Sequence, residues 1–155
     1  MTSGWWGVGL TVGLCALAVV WDTRWRRVPN WLTYPSLLAG WLAAGLTAGW
    51  GGLATAGAGT GIGLAVLVGP WLAGWAGAGD VKLLGAIGAT AGPLAMLAGF
   101  AAGSLIAGGL ALRRRRWAAQ TASAGGARLP YGAALAAGTL TVVVTLAPWG
   151  GSLVG

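Results

Sequence analysis

The 155-residue chain has no histidine and no glutamate, and its only acids are Asp22 and Asp80. These gaps exclude whole classes of chemistry. A zinc-peptidase stretch of the H-E-x-x-H kind needs both missing residues. A serine or cysteine nucleophile activated by histidine cannot be assembled. A metal centre built from His and Cys clusters is equally excluded. The one cysteine, Cys15, leaves no internal disulfide and no C-x-x-C element. It reads as a small apolar residue in mid-helix. Acid–base chemistry is left with two Asp, one Lys, two Tyr, the chain terminus and water.

Charge is scarce as well. Charged residues are 7% of the chain, against about 25% in soluble domains. Residues of the AVILMFWYC class are 57%. That balance excludes intrinsic disorder and makes lipid the main solvent. The net charge of +7 raises nucleic-acid binding. The nine basic residues, however, sit in short gaps between long uncharged runs, the pattern of cytoplasmic membrane loops. No basic face on a soluble domain can be drawn, so the expected partner is membrane lipid and not nucleic acid.

The uncharged runs are residues 1–21, 28–79, 83–112 and 129–155. A helix needs about 20 apolar residues to cross a hydrocarbon core of about 30 Å. The first run holds one helix, 5–21. Its charges follow it, so it reads as a retained membrane helix and not a cleaved signal. The second run holds two helices, 31–48 and 53–73, with a turn at Gly49-Trp50-Gly51-Gly52. The third breaks at Gly92-Pro93, since proline suits the first turn of a new helix. It gives helices over 81–91 and 94–112, and the last run gives 131–148. The clusters Arg24–Arg27 and Arg113–Arg116 both belong on the cytoplasmic side, which requires an even number of crossings between Lys82 and Arg113.

The expected fold is therefore all-α. It is a polytopic membrane protein of about six transmembrane helices, with a short fourth helix and both termini on the non-cytoplasmic side. The fourth helix reaches only about 16 Å. Asp80 at its start is thus expected below the cytoplasmic interface, in a protein-lined cavity open to water. Gly57, Gly59, Gly61 and Gly63 have the small-residue spacing of close helix packing. Residues 113–129 read as a mobile polar connection.

Each acid has a plain reading. Asp22 could be an interfacial charge neutralised by Arg24, Arg26 or Arg27. Asp80 could be the cap of the fourth helix. Yet both fall at one cytoplasmic depth, and acids at membrane depth are costly and usually functional. Two carboxylates that approach one another cannot both ionise easily, and they titrate as a unit. One can take a proton from a water held between them while the other donates to a scissile carbonyl oxygen. That chemistry needs no His, Ser, Cys, metal or cofactor.

The surroundings of both acids resemble the type IV prepilin peptidases, the GxGD class of membrane aspartic peptidases. Gly77-Ala78-Gly79-Asp80-Val81-Lys82-Leu83-Leu84 is similar to that family's G-x-G-D-x-K-L stretch. Asp22-Thr23-Arg24-Trp25-Arg26-Arg27-Val28-Pro29-Asn30-Trp31-Leu32-Thr33 is similar to its D-x-R-x-R-x-I-P-N-x-L-T stretch. Leu129-Pro130-Tyr131-Gly132 resembles a further element at the start of the last helix. There, Ala133 follows where many members carry proline.

The resemblance implies one integral membrane peptidase domain over residues 1–155. Its activity would be endopeptidase cleavage of the short basic leader of type IV prepilins, Flp-type prepilins or pseudopilins. That cleavage would occur at the cytoplasmic face of the cytoplasmic membrane. Asp22 and Asp80 take the catalytic positions. Gly77, Gly79, Lys82, Pro130, Tyr131 and Gly132 take motif or substrate-proximal ones. The two glycines are expected to let backbone approach a substrate strand and to take φ values that other residues resist. Asn30 reads first as a cap of the second helix and second as a substrate contact. Lys82 reads first as an interfacial anchor and second as an orienting group for Asp80 or a substrate carbonyl. Trp25 and Trp31 are the tryptophans placed to touch substrate. Without paired C-x-x-C motifs, the chain resembles the short members, and methylation of the new N-terminus is not carried over. The alternatives are an ion-coupled transporter and a non-catalytic scaffold of a pilus or secretion machine.

Overall fold

The computed structural model describes residues 3–25, 28–72, 76–121 and 131–146, with side chains beyond the backbone for 7–25, 28–72, 76–113 and 133–145. The described residues form four helices: α1 (Ser3–Trp25), α2 (Asn30–Leu72), α3 (Ala78–Thr121) and α4 (Tyr131–Leu146). No strand occurs among them. Three helical stretches are long and apolar enough to cross a membrane: Gly7–Trp25, Asn30–Leu72 and Ala78–Arg113. α4 supplies a shorter apolar stretch, Ala133–Thr145.

α2 and α3 are each two helices joined at one non-helical residue. In α2 it is Gly49 (φ 58°, ψ −137°), and in α3 it is Gly92 (φ 79°, ψ 169°). Positive φ is the region where a Cβ is penalised, so glycine is the residue for both breaks. Both lie where the sequence placed its interruptions. At Gly49 the chain folds back on itself. Trp41 Nε1 donates to Thr60 Oγ1 at 3.1 Å across 19 residues. A straight helix would hold those residues about 28 Å apart.

The helix ends differ from expectation in three places. α1 runs on through Asp22 to Trp25, and the described residues before α2, Val28 and Pro29, are non-helical. α3 starts at Ala78, three residues ahead of the expected start at 81. It then continues past 112 to Thr121, so Arg113–Arg116 belong to a helix and not to a connection. Arg and Ala are good helix formers, so a run of charge does not by itself end a helix. The rest of that stretch, 122–130, lies outside the described residues.

The first part of α3 is the centre of the bundle. Every residue from Leu83 to Ala91 is buried, and a helix that is apolar all round belongs in an interior. The helices around it approach through glycine. Gly59 lies on the backbone of Gly88, Gly63 on Leu84 and Gly85, and Gly40 on Ala89. Thr11 Oγ1 donates to Thr90 Oγ1 at 2.9 Å, which ties α1 to the same helix. After Gly92, α3 packs on α4 through Gly99 against Thr139 and Gly103 against Leu135. Cys15 is fully buried beside Leu14 and Ala18. Of the four glycines with packing spacing in α2, Gly59 and Gly63 make helix contacts, Gly57 lies near Trp41, and Gly61 meets nothing within 4 Å.

Where lipid is the solvent, helix association rests on van der Waals fit, so lost fit has no compensating hydrophobic gain. A Cβ on Gly63 would stand 2.7 Å from the Leu84 carbonyl oxygen, a backbone atom that cannot swing aside. Gly63→Ala is therefore expected to destabilise the protein by about 1–3 kcal/mol, the usual cost of overpacking. Gly61→Ala, half a turn away in open space, is expected to be neutral or to stabilise by up to about 1 kcal/mol through helix propensity. Thermal unfolding of the detergent-solubilised variants measures both.

Candidate active site

Asp22 sits in the last turn of α1 and is only 5% exposed. Its Oδ2 accepts a hydrogen bond from the backbone N–H of Ala133 at 2.6 Å. Ala133 is the third residue of α4. The first N–H groups of a helix have no partner inside it and carry the positive end of its dipole. Asp22 thus caps α4 from another helix, in the place an N-cap side chain usually fills. Burying a carboxylate requires such donors.

Asp80 is the third residue of α3 and is partly buried. Gly77 holds the cap position, because its carbonyl accepts from the N–H groups of Asp80 at 3.0 Å and Val81 at 3.3 Å. Asp80 Oδ2 accepts in return from Gly77 N–H at 3.0 Å. This is one half of a capping box, with Asp80 inside the helix and a cap residue, Gly77, that has no side chain to supply the other half. Gly79, next to Asp80, packs on Val28, six positions after Asp22. Two acids 58 positions apart in sequence therefore share one end of the bundle.

The glycines of the motif do not take the φ values expected of them. Positive φ occurs at Gly49 and Gly92, and neither Gly77 nor Gly79 adopts it. What they supply is room. A Cβ on Gly77 would stand 3.3 Å from Asp80 Oδ2. A Cβ on Gly79 would stand 3.3 Å from the carbonyl oxygen and 3.4 Å from the Cβ of Val28. The close neighbour of Gly79 is the chain's own segment after Asp22.

Lys82 Nζ donates to Asn30 Oδ1 at 3.0 Å and lies 5.1 Å from the centre of the Tyr34 ring. The cap of α2 is Pro29, whose carbonyl accepts from Leu32 and Thr33. Asn30 instead turns its side-chain oxygen to α3. Trp21, Trp25 and Trp31 cluster beside Asp22, with ring centres 4.6 Å apart for Trp21 and Trp25 and 5.1 Å for Trp21 and Trp31. The Arg24 guanidinium covers the Trp25 ring at 5.4 Å. Trp25 and Trp31 are exposed.

Of the positions singled out in the sequence, Asp22, Gly77, Gly79, Asp80 and Lys82 come together at this end. Pro130 lies outside the described residues. Tyr131 and Gly132 open α4 next to Ala133, with their side-chain environment outside the description. Sequence reasoning missed the Ala133 N–H and the Lys82–Asn30 bond. A backbone donor has no residue signature, although the start of the last helix was marked by Leu129-Pro130-Tyr131-Gly132.

Comparison with curated proteins gave no match, and neither did comparison with solved structures. A sequence model of the type IV leader peptidase family matches residues 9–112. The match takes in both acids, the segment between α1 and α2, and the glycines before Asp80. With two thirds of its length inside that match, the chain belongs to the type IV leader peptidase family.

Proposed function

We propose that the chain is a membrane aspartic endopeptidase that removes the leader of type IV prepilins, Flp-type prepilins or pseudopilins. The observation that carries this reading is the placing of Asp22, buried and bonded to a helix start, at the same end of the bundle as the chain's only other acid. Family membership supplies the reaction class and a prepilin-type substrate.

The reaction is hydrolysis at a water held between the carboxylates. One carboxylate takes a proton as the water oxygen attacks the scissile carbonyl carbon. The other, protonated, gives its proton to the carbonyl oxygen, which forms a tetrahedral diol. Collapse of the diol breaks the C–N bond: the proton taken from water passes to the leaving amine, and a diol hydroxyl returns a proton to the other carboxylate. Gly77 and Gly79 leave space at the acid on α3. Tyr131 and Gly132, which open α4 next to Ala133, border the substrate.

The proposed setting is the cytoplasmic membrane, crossed six times by a single domain. Both termini lie outside and the acids face the cytoplasm. The interruptions at Gly49 and Gly92 supply the two extra crossings within α2 and α3, and the positive-inside bias sets the direction.

The test is cleavage in membranes, with the chain co-expressed beside substrates that carry a basic leader, a glycine and an apolar helix. Wild type is expected to shorten a substrate. Asp22→Asn and Asp80→Asn, present in equal amount, are each expected to lower cleavage at least about 100-fold, the lower bound for losing a positioned acid or base. Cleavage that survives either change would overturn the aspartic mechanism. Gly77→Ala presses on the Asp80 carboxyl and is expected to give an intermediate rate. Cys15→Ala, remote from both acids, is expected to leave cleavage intact.

A further inference from the structure

We propose that Lys82 and Asn30 form a clamp that positions Asp80 against Asp22, a role that rests on the peptidase reading above. Asp80 and Lys82 are two residues apart on one helix. Side chains at that spacing do not face one another. Lys82 is therefore aimed away from the acid, and its ammonium sits on Asn30 Oδ1 and over the Tyr34 ring.

Asn30 follows directly on Val28 and Pro29, the segment that leaves the Asp22 end of α1. The first turns of α3 grip that segment twice. Gly79 packs on the backbone of Val28, and Lys82 bonds Asn30. Both grips flank Asp80 in sequence. The distance between the end of α1 and the start of α3, and with it the spacing of the two carboxyl groups, is set by how tightly this segment is held.

The chemistry of the clamp suits that position. Lysine offers three donors and no acceptor, and its charge gains from an aromatic face. Asn30 is neutral. A carboxylate at that place would add a third acid near the pair and disturb its shared proton. The Asn30 oxygen is not needed by its own helix, since the Pro29 carbonyl begins the α2 hydrogen-bond ladder.

The experiment is a double-mutant cycle in the full-length chain with a cleavable prepilin-type substrate. Lys82→Met keeps the stem and removes the donors, and Asn30→Leu removes the acceptor. Each is expected to lower kcat about tenfold with KM unchanged. The double variant should be no slower than either single one, as for two residues acting through one bond. Lys82→Arg, which restores donors and the stacked cation, should recover most of the loss. The same cycle read by thermal unfolding reports the bond without reference to peptidase activity.

Losses that multiply, that fall on KM, or that Lys82→Arg does not relieve would overturn the positioning role. If wild type cuts no prepilin-type substrate, the peptidase reading fails and the positioning role fails with it. Non-additive shifts in unfolding temperature would then mark the bond as purely structural.

Discussion

The hydrogen bond from Ala133 N–H to Asp22 Oδ2 is the contact on which the site end of the molecule depends. It joins residues 111 positions apart and sets the start of α4 against the end of α1. Each partner solves the other's problem. A buried carboxylate is expensive unless donors face it. A helix start carries N–H groups that its own ladder cannot use. Asp80 meets the same need locally, through Gly77 N–H at the start of α3. Both acids are thus fixed in direction by backbone donors, which do not change rotamer as a side-chain donor can.

Close approach is the second constraint. α2, α3 and α4 meet largely through glycine, with Gly59 on Gly88 and Gly138 on Gly103. The central part of α3 is therefore caged by backbone as much as by side chains. Thr11 and Thr90 pair with one another, and Thr90 and Thr139 also bond to carbonyls of their own helices. The described buried side-chain polar atoms all have partners.

Much of this was legible in the sequence. The two breaks stood out through the turn sequence Gly49-Trp50-Gly51-Gly52 and through Pro93 after Gly92. The two acids stood out because nothing else in the chain carries negative charge. The helix ends were less legible. Counting apolar residues stops at the first charge, whereas α1 continues through Asp22 and Arg24, and α3 continues through Arg113. The plain reading of Asp80 as a cap rests on aspartate favouring caps; glycine is also accepted there, and Gly77 takes the place. The bond between Lys82 and Asn30 spans 52 positions and leaves no periodic trace. The motif glycines were legible as positions, but their reason was not. Room for a carboxyl group and for Val28 is a tertiary fact.

The burial of Leu83–Ala91 also bears on how the site responds to its surroundings. Hydrophobic mismatch acts on side chains that touch lipid, and a helix answers it by tilting. The segment that carries Asp80 into the bundle has its side chains on protein instead. A thicker or thinner bilayer therefore pulls first on the outer helices, such as the exposed Leu38, Leu42 and Leu46 of α2. Its effect reaches Asp80 only through the glycine contacts that cage it.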